Sequence, residues 1–558
     1  MEVVREAAVE TEARSEEQPG WWRNAVVYQV YVRSFADANG DGIGDLAGVL
    51  EHLPYLRDLG VDALWFNPWY PSPMADSGYD ISDYRSIDPN FGTLAEAEHL
   101  IAEASRLGIR TIVDIVPNHV SDQHPWFQAA VDSALGSPER ERFWFRPGTG
   151  PGGDSPPNGW QSIFGGSAWT RTEDGGEWYL HLFAPEQPDL NWTHPDVAAE
   201  HEDVLRFWFD RGAAGVRIDS AALLVKDPEL REERADAGPG EHPFTDRDDL
   251  HEIYRRWRAI ADGYDDPRVL VGEVWLPDVD RFTRYLRPDE LHTAFNFDFL
   301  GSPWDAERMR ASIESSLAAH APVDAPATWV LSNHDVTRPV TRYGRADSSF
   351  AFESKRLGTP TDLARGRRRA RAAALLAMAL PGSMYIYQGE ELGLPEVEDI
   401  PAERKQDPMW FRSGGVDPGR DGCRIPIPWS GTTPPYGFSP NGAERSWLDQ
   451  PGDWAPLTVE AESDDPRSML SLYRAGLRLR REAPWGTGAF SWFPSGDEVL
   501  AFARGEDFVC FVNFGPDPVP LPAGAEVLIA SDDLEGGAVP QDTTVWLLNP
   551  LGQGEKGR

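Results

Sequence analysis

The sequence predicts an α/β protein built on a (β/α)8 TIM barrel, with a subdomain inserted after the third strand and an antiparallel β domain at the C-terminal end. Three observations predict it. From Ala25 onward, short β-rich runs alternate with longer segments of helical spacing, and eight such units can be counted. The alternation breaks once, over residues 120–191, which are rich in Gly, Pro and Trp and lack sustained periodicity. After a last helix near 468–482, alternating runs return without helices between them.

The elements follow in order. AVVYQVYVRSF (25–35) is the first strand candidate, and DLAGVLEHLPYLRDLG (45–60) is a helix whose stop is Gly60. DALWFNPW (62–69) is the second strand, TLAEAEHLIAEASRLG (93–108) a helix capped by Thr93, and RTIVDIVPNH (110–119) the third strand. Past the insertion come the helix DVAAEHEDVLRFWFDRG (196–212), the strand GVRIDSA (215–221), the helix DDLHEIYRRWRAIADGY (248–264) and the strand RVLVGEVW (268–275). LHTAFNFDFL (291–300), ATWVLSNHD (327–335) and SMYIYQGEELG (383–393) complete the eight, with a long Ala/Arg helix over 364–382. A doubly wound open sheet usually offers a Gly-rich phosphate turn after its first strand, and none is seen. The expected division is an acidic disordered tail (1–20), a barrel in two parts (21–119 and 192–483), the insertion (120–191) and a β-sandwich-like end domain (484–558).

Composition narrows the chemistry. Against 52 basic residues stand 91 acidic ones, a net charge of -39, so nucleic acid and anionic membranes are unfavourable partners. Only Cys423 and Cys510 are present, too few for a disulfide scaffold, which fits a reducing cytoplasm. Residues 1–20 carry six Glu and no apolar run, and no later stretch approaches a membrane span. The 22 Trp suit sugar rings, although most will be core.

In a barrel, functional groups gather at the C-terminal ends of the strands. Here Asp114, Asn118 and His119 end the third strand, Arg217 and Asp219 the fourth, Glu273 the fifth, and His334 and Asp335 the seventh. Neighbouring strands would bring Asp219 and Glu273 together, and two adjacent carboxylates are what glycoside hydrolysis needs. Arg217, two residues before Asp219, shares its face and would keep it ionised. Separately, DANGDGIGD (37–45) places oxygens at Asp37, Asn39, Asp41, the Ile43 carbonyl and Asp45, a spacing that suits Ca²⁺, or else a solvated acidic turn.

DIVPNH (114–119), GVRIDSA (215–221), GEVW (272–275) and SNHD (332–335) resemble, in order and spacing, the four signature regions of the α-amylase family, glycoside hydrolase family 13. That resemblance implies Asp219 as nucleophile, Glu273 as acid/base and Asp335 as the group steadying the distorted sugar, with His119 and His334 hydrogen-bonding it. DSGYD (76–80) resembles the exo-acting branch, in which Tyr79 would stack on the terminal glucose and Asp80 bind its outer hydroxyls, with Arg420 beside Asp80 closing a pocket. QPDLN (187–191) resembles the oligo-1,6-glucosidase subfamily, which holds α-glucosidases and sugar mutases, and loop 37–45 its calcium loop. Ser220, small where α-1,6 enzymes carry Val, points to α-1,4 bonds. The expected substrates are maltose and maltooligosaccharides, with sucrose or isomaltose as further candidates. A transglucosylase or trehalose synthase-like isomerase is the first alternative. Amino-acid-transporter heavy chains, which resemble this fold, carry a membrane span and lack the full carboxylate set.

Overall fold

Strands buried on both faces are largely apolar, and eight short runs here are mostly so, with a few polar residues such as Gln29, Asp114 and Arg217 set among them. In the computed structural model, which describes residues 20–173, 175–350, 358–440, 442–443, 445–482, 488–522 and 524–548, they form one parallel sheet. The strands are β1 (Val26–Val30), β2 (Ala63–Phe66), β3 (Arg110–Ile115), β4 (Gly215–Ile218), β5 (Val269–Gly272), β6 (Thr293–Ala294), β7 (Thr328–Val330) and β8 (Ser383–Tyr387). Their order is β7-β8-β1-β2-β3-β4-β5-β6, every pairing being parallel. The seam between β6 and β7 is bridged chiefly by the Thr328 side chain, with Thr293 Oγ1 also donating to the Pro326 carbonyl at 3.4 Å. Thr328 Oγ1 donates to the Ala294 carbonyl (2.7 Å) and accepts from the Asn296 amide (3.0 Å).

Two expected elements are shorter than the sequence suggested. The strand read over 291–300 is only Thr293–Ala294, because Asn296 caps a short helix, Phe297–Gly301, by accepting from the Phe299 amide. The helix read over 45–60 is two pieces, Leu46–Glu51 and Leu53–Leu59, since Pro54 has no amide to continue the first. Gly60 ends the second at φ 100°, and Thr93 caps Leu94–Arg106 in a reciprocal box with Glu96.

The insertion carries a three-stranded antiparallel sheet, with Glu177–Leu180 between Phe145–Pro147 and Trp169–Arg171. It returns to the barrel where His119 bridges Asp189, and buried Lys226 pairs with Asp189 at 2.8 Å. The end domain is a five-stranded antiparallel sheet, Phe490–Trp492, Val499–Arg504, Phe508–Asn513, Thr543–Leu548 and Glu526–Ala530 in spatial order, beside a two-stranded ribbon. It docks on the Ala-rich helix Leu363–Ala379, where Thr544 Oγ1 and Trp546 Nε1 donate to the carbonyls of Ala372 and Leu375. Apart from Gly20 the expected tail lies outside the described residues, as does the 483/484 boundary. Among the described residues no helix is long and apolar enough to cross a membrane.

Candidate active site

The parallel ladder runs one step past the strand ends and sets the key backbone positions. The Asp219 amide donates to the Ile115 carbonyl and the Glu273 amide to that of Ile218, both at 2.9 Å. Arg217 lies within β4, opposite Asp114 of β3, and is 1 % exposed. A guanidinium so buried needs carboxylates around it. Its Nη1 meets Asp219 Oδ1 at 2.8 Å and both Asp114 oxygens at 3.0 Å, while Nη2 meets Glu273 Oε2 at 2.5 Å. One cation thus gathers three carboxylates from three adjacent strands.

Ser220, immediately after Asp219, adopts φ 47°, a left-handed conformation that costs a non-Gly residue of order 1–3 kcal/mol. The turn lets one residue touch both acids. Its amide donates to Glu273 Oε2 (3.1 Å) and its hydroxyl to Asp219 Oδ2 (2.8 Å).

The expectation that Arg217 keeps Asp219 ionised is not met by charge alone. Burial, then the Glu273 carboxylate, push Asp219 well above its ordinary value, outweighing Arg217. Burial likewise pushes Asp114 up to about 7 against the pull of Arg217.

Around Asp335 the balance is reversed. Burial opposes its charge, but His334, Arg420 and Arg424 hold its carboxyl well below the usual range. His334 is itself driven well below its ordinary value by burial, so it is neutral, and the two guanidiniums supply the positive charge. Arg420 Nη1 and Arg424 Nη2 meet Asp335 Oδ1 at 3.1 and 2.9 Å. Gln29 Nε2 lies 2.8 Å from His334 Nδ1, which fixes the tautomer: Nε2–H faces Asp335 Oδ2 at 3.3 Å. Tyr79 stacks parallel on His334, centroids 5.2 Å apart, and donates to Asp114 Oδ2. His119 is buried, driven down to about 3 by that burial, and its Nε2 lies 2.9 Å from Gln187 Nε2.

One expectation is corrected. Of the two acids in the 76–80 turn, the one that pairs with Arg420 is Asp76 (2.5 Å), not Asp80. Asp80 turns back into its own loop, accepting from Ser72 Oγ and the amides of Ala75 and Asp76. Burial holds its carboxyl up at about 6. Asp76 also accepts from Gln187 Nε2 (3.0 Å), which places it beside His119.

Four further residues escaped sequence reasoning. Arg424 follows Arg420 at a spacing of four, a signal that was available. Asp407 anchors Arg420 at 2.5 Å and carries no local signature. Trp275 Nε1 donates to Glu273 Oε1 at 3.0 Å, and its ring lies flat on Phe297, 3.4 Å between centroids.

Loop 37–45 was expected to hold Ca²⁺. Its donors are all oxygens, and Asp37 and Asp45 are buried with no ion-pair partner among the described residues. Burial, with Asp37 adding to it, pushes Asp45 above its ordinary value against the pull of three backbone amides. The carboxylates are turned onto those amides, Asp37 onto Gly40 and Gly42, Asp45 onto Gly48, Ala38 and Asn39. Among the described residues no three carboxylate, His or Cys side chains converge as a metal group. The oxygen donors of Asp37, Asn39, Asp41, Asp45 and the Ile43 carbonyl are of the chemistry that suits the ion.

Comparison with known proteins bears on this geometry. The model of the alpha amylase catalytic domain matches residues 29–487. The protein named "Probable alpha-glucosidase" from Rhizobium meliloti (strain 1021) is 36% identical over 89% of this chain and 90% of its own length. The trehalose-6-phosphate hydrolase of Escherichia coli (strain K12) is 35% identical over 91% and 93%. The crystal structure of the alpha-glucosyl transfer enzyme XgtA superposes with a TM-score of 0.82 at 34% identity, covering 95% of this chain and 100% of that one. With the barrel, the strand-end carboxylates and these relatives in agreement, the chain is a glycoside hydrolase belonging to the α-amylase family.

Proposed function

We propose that this protein is a retaining, exo-acting α-glucosidase that removes terminal glucose from short α-glucosides, α-1,4-linked ones foremost. The observation that carries this is the single guanidinium of Arg217 holding both Asp219 and Glu273. Carboxylates joined through one guanidinium suit the roughly 5 Å separation of a retaining pair better than the wider inverting one. Asp219 would attack the anomeric carbon while Glu273 gives its proton to the leaving oxygen. Glu273 would then take a proton from water as that water displaces Asp219. Asp335, kept anionic by its two arginines, would bind sugar hydroxyls in the distorted ring. The Asp76–Arg420 pair would close the far end, so that only a chain terminus fits. Ser220 supports the linkage preference, since its small side chain is drawn onto Asp219 and leaves the leaving-group side open.

Proton NMR tests this in separate tubes of maltose, isomaltose and trehalose-6-phosphate. Early α-glucose, fastest from maltose, is the expected result. Early β-glucose would refute retention, and rearranged disaccharide with little free glucose would replace hydrolysis by transfer. Asp219→Asn is expected to lower kcat at least 10³-fold with the fold intact, and substantial residual turnover would move the nucleophile elsewhere. We also propose a structural Ca²⁺ at loop 37–45, and a cytoplasmic location, supported by two free buried cysteines.

A further inference from the structure

Glu273 has three hydrogen-bond donors, and they are divided unequally between its two oxygens. Oε2 accepts from Arg217 Nη2 (2.5 Å) and the Ser220 amide (3.1 Å), which occupies both of its lone pairs. Among the described residues, Oε1 accepts only from Trp275 Nε1 (3.0 Å). When Glu273 is protonated, the proton must therefore sit on Oε1, the oxygen that Trp275 holds. The indole is fixed from outside by its stack on Phe297, 3.4 Å between centroids and 12° between planes. Phe297 in turn opens the short helix capped by Asn296 just beyond β6. The charged and titratable groups facing Glu273 are Arg217 and Asp219 from the β4 side, with Asp114 of β3 behind them. None of these contacts Oε1.

We infer that Trp275 is a positioning residue for Glu273: its N–H orients Oε1, the oxygen left free to carry the transferred proton, toward the leaving group. The inference rests on the proposed reading of Glu273 as acid/base. An N–H donor also favours the ionised carboxylate over the acid, because a carboxylate oxygen accepts more strongly than a carboxylic hydroxyl. Removing the donor therefore keeps the acid protonated to higher pH, while leaving that proton less well aimed.

The test is Trp275→Phe, which removes the N–H and keeps a smaller aromatic ring for Phe297 to stack on. The readouts are kcat/KM against pH for maltose and for α-glucosyl fluoride, whose leaving group needs little acid assistance. The expected result is a basic limb moved to higher pH by about half to one unit. Maltose kcat/KM is expected to fall on the order of tenfold, with the fluoride within about threefold. An unmoved limb, or parallel loss on both substrates, would reduce Trp275 to packing. Phe297→Leu retains the donor but frees the ring, and should move the limb the same way by less. If Trp275→Phe does not fold, an unmoved limb in Phe297→Leu overturns the inference. Glu273→Gln separates the two levels. Should it fail to spare the fluoride relative to maltose, the acid role itself falls; should it spare the fluoride while Trp275→Phe does not, only Trp275 is wrongly placed.

Discussion

Asp76 and Asp80 stand four residues apart in one turn and have opposite duties. Asp76 offers its charge to Arg420 at the closed end of the site, whereas Asp80 spends its oxygens on Ser72 and two amides of its own loop. Asp76→Asn is expected to lower kcat/KM on maltose roughly 10²-fold, about 2.7 kcal/mol of transition-state stabilisation, with a small change in melting temperature. Asp80→Asn should do the reverse, costing about 1–3 kcal/mol of stability because an amide NH₂ would face N–H donors, while activity per folded molecule stays within twofold. Steady-state kinetics with urea denaturation on both variants checks this; loss of activity in Asp80→Asn with Asp76→Asn intact would restore the assignment made from sequence. Asp219 and Glu273 could be placed from sequence because each follows a strand directly, so the strand pattern fixes where it points, whereas Asp335 stands five residues past the end of β7 and was placed by the SNHD segment. The choice between Asp76 and Asp80 depends on Met74, Ser77 and Gly78 all taking positive φ (65°, 55° and 106°), and no periodicity encodes that. Asp407 reaches Arg420 only through the fold of a long loop, and is equally silent in the sequence.

At the scale of elements, all eight strands were legible because runs such as VVYQV and ALWF are largely apolar on both faces. What the pattern hid was length. The apolar content of AFNFDFL reads as strand, but an Asn at a cap position outweighs it and converts the run to a helical turn. The barrel consequently lacks room for a backbone ladder between β6 and β7, and a threonine hydroxyl stands in for it. Thr328→Val preserves shape but strands the Ala294 carbonyl and the Asn296 amide. It is expected to cost about 2–4 kcal/mol in urea denaturation, and Thr328→Ser should recover most of that. A loss below about 0.5 kcal/mol in the valine variant would mean that the seam is closed by packing alone. Lys226, fully buried against Asp189 and Asn118, has the equivalent office for the insertion, joining it to the loop after β4.

The whole molecule carries a net charge of -39 together with buried carboxyls held above their ordinary values: Asp80 at about 6, and Glu390 and Glu462 at about 7, each chiefly through burial. A raised folded-state value gives stability that is complete below the unfolded value near 4 and is lost as pH rises through 6 to 7. Self-repulsion acts in the same direction. Buried histidines held below their ordinary value, His119 at about 3 and His201 and His320 at about 4, act the other way and lose stability as pH falls below about 6.5. The melting temperature is therefore expected to peak between about pH 6 and 7 and to fall between pH 7 and 8, less steeply in 0.5 M NaCl as charges are screened. A flat or rising profile in calorimetry across that window would contradict it. In the same experiment, millimolar Ca²⁺ should raise the transition at pH 8 if loop 37–45 takes the ion, an effect absent in Asp41→Ala. The ion pairs among Asp76, Arg420 and Asp335 have a last consequence, which is kinetic. On the proposed reading the site is shut at its inner end and has one doorway. On the proposed reaction the severed sugar must depart before the glucose beneath it, so free glucose competes with each new substrate, and an oligosaccharide has to let go after every cut. Degradation of a long chain by this protein would be distributive, one encounter per residue removed.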